Sequence, residues 1–314
     1  MTDEMIAGRY RTEGVLGGGS MGVVWKAHDT VLDRTVALKE MKVPDGVDTD
    51  EAVERFLTEA RAAARLSHTN IVTVHDVLAD GDRVLLAMEL LEGPTLAQAI
   101  AAAGGGLPAG DVRAVMAQVA SALAEAHAGG VVHRDLKPDN VFWLASGRVV
   151  VCDFGLAKIG AGRGTRVGTV MGTPGYLAPE QVRGENAGPP ADVFAWGAVA
   201  YEMLCGRPAF GDPSEEQVTL IWRVVNEDPA PLDLPDDPDL ARLVGWSLAK
   251  DPAERPPHAA DVLAALGGQA AIPTAIVSRP SAPPRTSSAP PWTPVGSVPP
   301  RAPRSGPKPS LVIG

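Results

Sequence analysis

The tightest limit on what this chain can do comes from residues 133–140 in its middle, which read HRDLKPDN. A carboxylate (Asp135), an ammonium group (Lys137) and a carboxamide (Asn140) fall within six residues there, behind the apolar pair Val131-Val132. In a turn-forming segment this spacing lets the three side chains converge on one point. A carboxylate can take a proton from a hydroxyl, a lysine can neutralise a phosphate, and a carboxamide oxygen can bind a hard cation. The run therefore suits phosphoryl transfer better than any other reaction.

Composition excludes several other classes of protein. The chain has 314 residues, 45% of them hydrophobic, which is enough for one large domain or two lobes. Its formal net charge of −10 argues against nucleic-acid binding. Two cysteines cannot form a disulfide framework and favour a reducing compartment. No signal peptide or membrane span is visible, because glycines and a proline interrupt the apolar stretch Val262–Ser278. We therefore expect a cytoplasmic protein.

A glycine-rich run lies between two predicted strands near the start of the chain. Residues 17–22 read GGGSMG, and with Val24 they fit the pattern G-x-G-x-x-G-x-V. Glycines allow sharp turns and bring backbone N–H groups close to phosphate oxygens. A dinucleotide-binding fold would need a helix directly after this run, whereas Val23–Ala27 reads as a strand. The next apolar strand, Thr35–Lys39, ends in a lysine.

Two more motifs follow the octet. A short strand, Val149–Val151, leads into Cys152-Asp153-Phe154-Gly155, which places Asp153 eighteen residues after Asp135. Residues 172–180 read GTPGYLAPE and close a stretch rich in glycine and threonine. Helical periodicity of apolar residues is clear at Asp111–Ala128, where it predicts a buried helix.

These motifs, in this order and spacing between Tyr10 and Leu266, resemble those of bacterial serine/threonine protein kinases of the eukaryotic type. The resemblance implies an α+β, two-lobed protein kinase fold. Residues 1–91 would form the ATP-binding N-lobe, a five-stranded antiparallel sheet with one helix, and residues 92–266 a mainly helical C-lobe. Residues 267–314 hold 12 prolines, five Lys or Arg and no Asp or Glu, so we expect a disordered tail.

The same resemblance implies an ATP site between the lobes. Met88 would lie at the back of the adenine pocket, and the backbone of Glu89 to Leu91 would meet the adenine edge. The residues implied to contact ATP, apart from the charged groups described next, are Leu16, Gly17, Gly18, Gly19, Ser20, Met21, Gly22, Val24, Ala37, Met88, Glu89, Leu91 and Phe142.

Charged residues receive distinct roles from the resemblance. Lys39 would position the α- and β-phosphates while Glu59 holds it; Glu51 and Glu54 are rival partners on the same predicted helix, about Asp50–Leu66. Asp153 and Asn140 would hold Mg²⁺, with Mn²⁺ as an alternative. Asp135 would orient the substrate hydroxyl and take its proton. Lys137 would neutralise the γ-phosphate.

Expectations about substrate and regulation also come from the resemblance. Lys137 and Thr173 point to serine and threonine hydroxyls of protein substrates. Arg134 would be satisfied by a phosphate on the activation segment, with Thr169 ranked first and Thr165 second as acceptors. We expect autophosphorylation between two copies in a transient homodimer. Glu180 and Arg255 would form a buried pair, and His133 would be a core histidine against Phe154.

Three alternatives stay open at this point. A pseudokinase scaffold would normally have lost Lys39, Asp135 or Asp153, and all three are present. A small-molecule kinase of the aminoglycoside-phosphotransferase type shares the spacing from Asp135 to Asn140 but lacks a threonine-bearing segment closed by Ala-Pro-Glu. A binding module could act through the proline-rich tail.

Overall fold

The computed structural model describes residues 4–19, 22–42, 49–81, 83–154 and 174–267. All of them belong to one compact unit, Met1–Val277. The predicted tail lies outside the described residues beyond Gly267, as do Ser20, Met21, Gly155, Thr165, Thr169 and Thr173.

The N-lobe is an antiparallel sheet with the strand order β1-β2-β3-β4-β6-β5. The central strands β4 and β6 are apolar. Their paired residues, such as Leu38 and Ala87, are almost fully buried. The strands are β1 Met5–Ile6, β2 Tyr10–Gly19, β3 Gly22–Asp29, β4 Arg34–Lys42, β5 Val74–Asp80 and β6 Arg83–Met88.

Five of these strands are the predicted ones, and the sequence-based expectation missed β1. Two residues are too short to show a period-2 pattern, so no periodicity signal exists there. A tight turn creates the strand, because Ala7 and Gly8 both adopt positive φ (51° and 63°). Met5 then pairs with Arg11, and the Ile6 side chain is buried beside Tyr10.

Helix α1, Thr49–Ala64, packs on β5 and β6 of this sheet. Its buried residues Phe56 and Ala60 join Met41, Val72 and Leu86 in one apolar cluster. This apolar cluster therefore holds α1 in position against the sheet whose strand β4 carries Lys39.

The C-lobe is mainly helical, as expected. Its core contains α3 and α5, whose interior is so apolar that Trp196 on α5 is fully buried and donates its indole N–H to the Met116 carbonyl at 2.9 Å. The described helices are α2 Leu96–Ala103, α3 Ala109–Ala128, α4 Pro179–Val182, α5 Pro189–Cys205, α6 Gln217–Asn226, α7 Pro238–Ser247 and α8 Ala259–Leu266.

Short elements between α3 and α4 carry the polar motifs. Strands β7 (Val141–Trp143) and β8 (Val149–Val151) form an antiparallel pair. Single 3₁₀ turns lie at Pro138–Asn140, Pro174–Tyr176 and Pro252–Glu254. None of the helices in the described part of the chain combines the length and the apolar character needed to cross a membrane.

Candidate active site

The turn at residues 131–135 is held in an uncommon backbone conformation by Asp192. Arg134 has a φ of 65°, which is strained for a residue with a side chain. The Asp192 carboxylate accepts the backbone N–H groups of His133 (2.8 Å) and Arg134 (2.7 Å), and His127 Nε2 lies 2.8 Å from it. Asp192 is fully buried, so these bonds are shielded from water. This anchor sets the direction in which Asp135 leaves the turn.

Sequence reasoning assigned Asp192 no role, although it does much to build the site. The signal that could have found it is a single carboxylate in the first turn of an otherwise apolar helix, ADVFAWG. Such a residue is almost never buried unless polar groups satisfy it.

Asp135, Lys137 and Asn140 converge in the structure. Lys137 Nζ lies 3.1 Å from Asp135 Oδ2. Asn140 Nδ2 donates to the Asp135 carbonyl at 2.8 Å and lies 3.3 Å from Asp135 Oδ2. Because the Asn140 nitrogen is used in this way, its amide oxygen is the atom free to bind a cation.

The segment that carries Asp153 is bonded directly to this turn. The Cys152 amide donates to the Asn140 carbonyl at 2.9 Å, and His133 Nε2 donates to the Cys152 carbonyl at 2.8 Å. The rings of His133 and Phe154 meet at a centroid distance of 4.7 Å. His133 is fully buried, which confirms that it is a core histidine.

Lys39 forms an ion pair with Asp153 in the structure. Its Nζ lies 2.7 Å from Asp153 Oδ1, and its side chain is 9% exposed. The structure therefore brings Lys39 and Asp153 together and leaves the Lys39–Glu59 pairing a prediction.

Five of the residues implied to contact ATP share one apolar cluster. Ala37 and Met88 are facing residues of β4 and β6. They pack with Cys152, and the same cluster contains Val24, Leu91 and Phe142. Leu16 is instead 52% exposed on β2. Burial, and then the neighbouring Asp153 charge, raise the pKa of the Cys152 thiol well above its ordinary value, so this cysteine is unreactive.

Glu89, at the connection between the lobes, is fixed through its side chain and its backbone. Its amide donates to the Thr73 carbonyl at 2.9 Å, and its carboxylate accepts the Thr73 amide at 3.0 Å. Arg148 Nη2 lies 3.0 Å from the same carboxylate. Burial alone would raise the pKa of Glu89, but the hydrogen bonds from Arg148 and Thr73 lower it overall. Arg148 is a second residue that sequence reasoning missed.

The glycine-rich run ends where close backbone contact requires a glycine. Gly22 has a φ of 136°, and a Cβ there would lie 1.8 Å from the Glu40 carbonyl oxygen. Gly17, Gly18 and Gly19 continue β2 and pair with Val24, Val23 and Gly22 of β3. The described glycines of the run therefore lie on two paired strands, and the strand predicted after the run is present.

Glu180 and Arg255 form the expected buried pair. The guanidinium donates to both carboxylate oxygens, at 2.7 and 2.8 Å, and the Arg255 side chain is completely inaccessible to solvent. Arg255 also donates to three backbone carbonyls, those of Ala249, Pro190 and Lys250.

Arg134 differs from Arg255 in its environment. Within the described ranges, its guanidinium has no ion pair or hydrogen bond, while its backbone carbonyl accepts a bond from Gln181 at 2.8 Å. The threonines implied to pair with it through phosphate lie outside the described residues.

Comparisons with known proteins agree with this architecture. A sequence model described as protein kinase domain matches residues 10–265. The chain is 39% identical over 295 residues to serine/threonine-protein kinase PknA of Mycobacterium tuberculosis, covering 91% of this chain and 65% of PknA. It is 36% identical over 259 residues to serine/threonine-protein kinase PrkC of Bacillus subtilis, covering 82% of this chain and 40% of PrkC.

Solved structures give the same answer for the fold. The crystal structure of the Mycobacterium tuberculosis PknI kinase domain superimposes with a TM-score of 0.65 at 30% identity, covering 86% of this chain and 98% of that one. The chain thus spans somewhat less than two thirds of PknA and less than half of PrkC, and nearly all of a solved kinase domain. On its motifs, its fold and these matches, the chain belongs to the protein kinase family.

Proposed function

We propose that this chain is a non-specific serine/threonine protein kinase, which transfers the γ-phosphate of ATP to serine and threonine hydroxyls of proteins. The observation that carries the proposal is the convergence of Asp135, Lys137 and Asn140, bonded through Cys152 to the segment where Asp153 meets Lys39. Phosphoryl transfer depends mainly on positioning and charge stabilisation, and these are the groups it needs.

The apolar cluster around Ala37, Met88 and Cys152 suits the faces of an adenine ring. The Glu89 amide already donates to Thr73, so the adenine edge would meet the Glu89 carbonyl and the backbone of Leu91. A polar edge recognised by backbone groups within an apolar slot is a common arrangement for ligand sites.

The donor set fits a divalent ion bound together with phosphates. Nowhere in the described ranges do three His, Cys, Asp or Glu side chains gather as a metal site. The ion would therefore rest on Asp153, the Asn140 amide oxygen and phosphate oxygens, an arrangement that suits Mg²⁺ and also Mn²⁺. When bound, ATP supplies the phosphoryl group and the ion offsets the negative charge of the phosphates.

The chain's own residues would then align and stabilise the reactants. Lys39 would exchange Asp153 for the α- and β-phosphates and be held by Glu59. Asp135 would accept a hydrogen bond from the substrate hydroxyl and take its proton as the new O–P bond forms and the bond from the γ-phosphorus to the bridging oxygen of ADP, the leaving group, breaks. Lys137, 3.1 Å from Asp135, stands where it can offset charge on the transferred phosphate. Thr173 would position the substrate.

Substrate class and setting follow the same reasoning. Lys137 in the octet and the Thr173 position support Ser/Thr proteins as substrates. Two free cysteines and the need for ATP support action in the cytoplasm. We propose no role in nucleic-acid binding, given the net charge of −10.

The test is to incubate purified protein with Mg-ATP and map phosphosites by mass spectrometry on the protein itself and on a generic basic protein. We expect phosphoserine and phosphothreonine on both, loss of both with EDTA, and recovery with Mg²⁺ or Mn²⁺. Absence of transfer to any protein hydroxyl, with a small molecule phosphorylated instead, would favour a small-molecule kinase.

Regulation is proposed to act through Arg134. A cation without a described counter-charge next to Asp135 destabilises the loop unless an anion arrives. Phosphate on Thr169, or second on Thr165, would supply it after transfer between two copies in a transient homodimer. We expect phosphate at Thr169, reduced activity in Thr169→Ala, and activity in Arg134→Ala that phosphatase does not change. Full activity from protein with no phosphate between Asp153 and Glu180 would exclude this regulation.

A further inference from the structure

Arg148 lies immediately before strand β8 and links three separate segments of the chain. Its Nη1 and Nη2 lie 3.3 and 3.0 Å from the two carboxylate oxygens of Glu89, in the connection between the lobes. Its Nε donates to the Thr69 carbonyl at 2.8 Å. A guanidinium that bonds both oxygens fixes the orientation of a carboxylate as well as its position, which a single ammonium group does not.

The backbone that carries Arg148 is held in place without the Arg148 side chain. Gln118 on α3 bonds the two chain neighbours of Arg148, because it donates to the Gly147 carbonyl at 3.0 Å and accepts the Val149 amide at 2.9 Å. Asn70 donates to the Val149 carbonyl at 2.7 Å. The Arg148 side chain therefore reaches Glu89 from a backbone that is fixed to the C-lobe.

The position of Glu89 matters because of the residues that follow it. Glu89 is the first residue after β6, and the side chains of Leu90 and Leu91 pack against the apolar cluster that would hold the adenine ring. In the proposed function the Glu89 carbonyl and the backbone of Leu91 meet the adenine edge. Because the Glu89 side chain is held at both oxygens, the Arg148–Glu89 pair limits how this backbone can turn.

A purely structural role explains less of this geometry. The Arg148 side chain is 30% and the Glu89 side chain 21% exposed, and ion pairs open to solvent contribute little to stability. The neighbouring segments are joined by backbone bonds in any case. The Val72 amide donates to the Val151 carbonyl at 3.0 Å, and the Val151 amide donates to the Asn70 carbonyl at 2.9 Å. What the Arg148 side chain adds is a contact with the connection between the lobes.

We propose that Arg148 is a positioning residue for adenine recognition. It acts through Glu89 and holds the connection between the lobes so that the backbone groups of Glu89 and Leu91 are already directed at adenine. This rests on the proposed kinase function and adds a determinant of nucleotide affinity and base selectivity that does not touch the nucleotide. A site ordered in advance binds more tightly, because binding then requires no further ordering of the segment.

Nucleotide binding tests this role apart from catalysis. Calorimetric titration of the full chain with Mg-ADP and Mg-GDP compares two ligands that differ only in the base, and the wild type should prefer ADP. In Arg148→Met the Kd for ADP should rise about 10-fold and that for GDP by less than about twofold, because the positioned backbone groups match adenine alone. Arg148→Lys should give an intermediate Kd for ADP, since lysine lacks the two-point contact with Glu89.

Arg113→Met is the matched control. Like Arg148, Arg113 is 30% exposed, and its guanidinium bonds both oxygens of one carboxylate, that of Asp237, at 2.8 and 2.6 Å. It also donates to one backbone carbonyl, that of Leu266, at 2.7 Å. All three residues lie in the C-lobe, so Arg113→Met should leave the Kd for ADP unchanged. An equal rise in Kd in both variants would contradict the proposal, because affinity would then follow overall stability.

A double-mutant cycle tests whether Arg148 acts through Glu89. In a Glu89→Gln background, Arg148→Met should raise the Kd for ADP by less than about twofold, because residues that act as one unit are not additive. Fully additive losses would overturn the route through Glu89.

Steady-state kinetics give an independent measurement. With the basic protein as substrate, Arg148→Met should raise the KM for ATP about 10-fold and change kcat by less than about twofold, as expected when binding is lost equally from the ground state and the transition state. A higher kcat in Arg148→Met would contradict the proposal, because the pair would then restrain the lobes rather than position the adenine site.

The proposal is also overturned if Arg148→Met keeps the wild-type Kd for ADP, or if ADP and GDP weaken equally. These results differ from a failure of the proposed function. A wild-type chain that binds no ADP rejects the kinase function itself, whereas normal wild-type binding that Arg148→Met does not change rejects only the role of Arg148.

Discussion

Two ion pairs, Glu180–Arg255 within the C-lobe and Lys39–Asp153 between residues of the two lobes, differ in how fully they are satisfied. Arg255 makes two bonds to Glu180 and three to backbone carbonyls, and neither side chain of the pair exceeds 5% exposure. Lys39 makes one described ion pair, to Asp153, whose side chain keeps 27% exposure. Both pairs bring opposite charges to 2.7 Å, so distance alone does not separate them.

The difference separates a structural pair from an exchangeable one. The Arg255 guanidinium makes five hydrogen bonds in a site without solvent access, so no competing partner can replace them. Its removal leaves the Glu180 carboxylate buried without a counter-charge. A lysine with one described ion pair, to a carboxylate that is partly exposed to solvent, can release Asp153 when phosphates arrive. The comparison therefore predicts that mutation of the first pair changes stability and mutation of the second changes activity.

The largest effect on stability should come from Arg255→Ala. Removing one partner of a buried, hydrogen-bonded pair costs about 3–5 kcal/mol in the free energy of unfolding. Chemical denaturation measures this directly. Arg242→Ala is the control, because its pair with Asp239 is exposed, and it should change stability by less than about 0.5 kcal/mol. Equal losses in both variants would contradict the structural role given to the Glu180–Arg255 pair.

Lys39→Met should show the opposite behaviour. Loss of a positioned cation at the phosphates lowers the rate of phosphoryl transfer by about 10²–10³-fold, or about 2.7–4 kcal/mol of barrier. Stability should change little, because the exposed part of Asp153 stays hydrated. The measurements are initial rates with the basic protein and thermal melting. A melting temperature lowered as far as in Arg255→Ala would show that Lys39–Asp153 is a structural pair.

Lys250, whose carbonyl accepts a hydrogen bond from Arg255, should give a pH-dependent effect on stability. Its Nζ donates to the Val224 carbonyl at 2.9 Å and lies 4.1 Å from the Phe210 ring centre. Burial lowers the pKa of Lys250 to about 8, from an ordinary value of 10.5. Between these values the unfolded chain holds the proton and the folded chain does not. Stability should therefore rise with pH across that window.

Lys250→Met should remove this rise. We expect the unfolding free energy of the wild type to gain, relative to the variant, roughly 3 kcal/mol or less between pH 8 and 10.5. Denaturant titrations at several pH values measure the difference. A difference that stays constant with pH would mean that Lys250 is not desolvated as described.

Sequence reasoning recovered the parts of this site that are encoded locally. Asp135, Lys137 and Asn140 lie within six residues, and the turn that includes Pro138 brings them together, so their convergence follows from spacing. The strands and long helices were likewise predicted from the periodicity of apolar residues, apart from the two-residue β1. The Glu180–Arg255 pair spans 75 residues and was reached only through family resemblance.

The rest depends on tertiary contacts that leave no local pattern. Asp192 acts through backbone amides 58 and 59 residues away, and Arg148 reaches Glu89 59 residues away. No periodicity or short motif encodes such contacts. Lys39 and Asp153 likewise come from distant segments of the chain and meet only in the folded protein.

The most direct test of the kinase mechanism is the rate of phosphate transfer by Asp135→Asn. The substitution keeps the size of the side chain and removes its charge, so the turn anchored by Asp192 should stay folded and ATP should still bind. We predict transfer to the basic protein at least about 10²-fold slower than in the wild type, with an unchanged melting temperature. Near-wild-type transfer by Asp135→Asn would contradict the role given to this carboxylate.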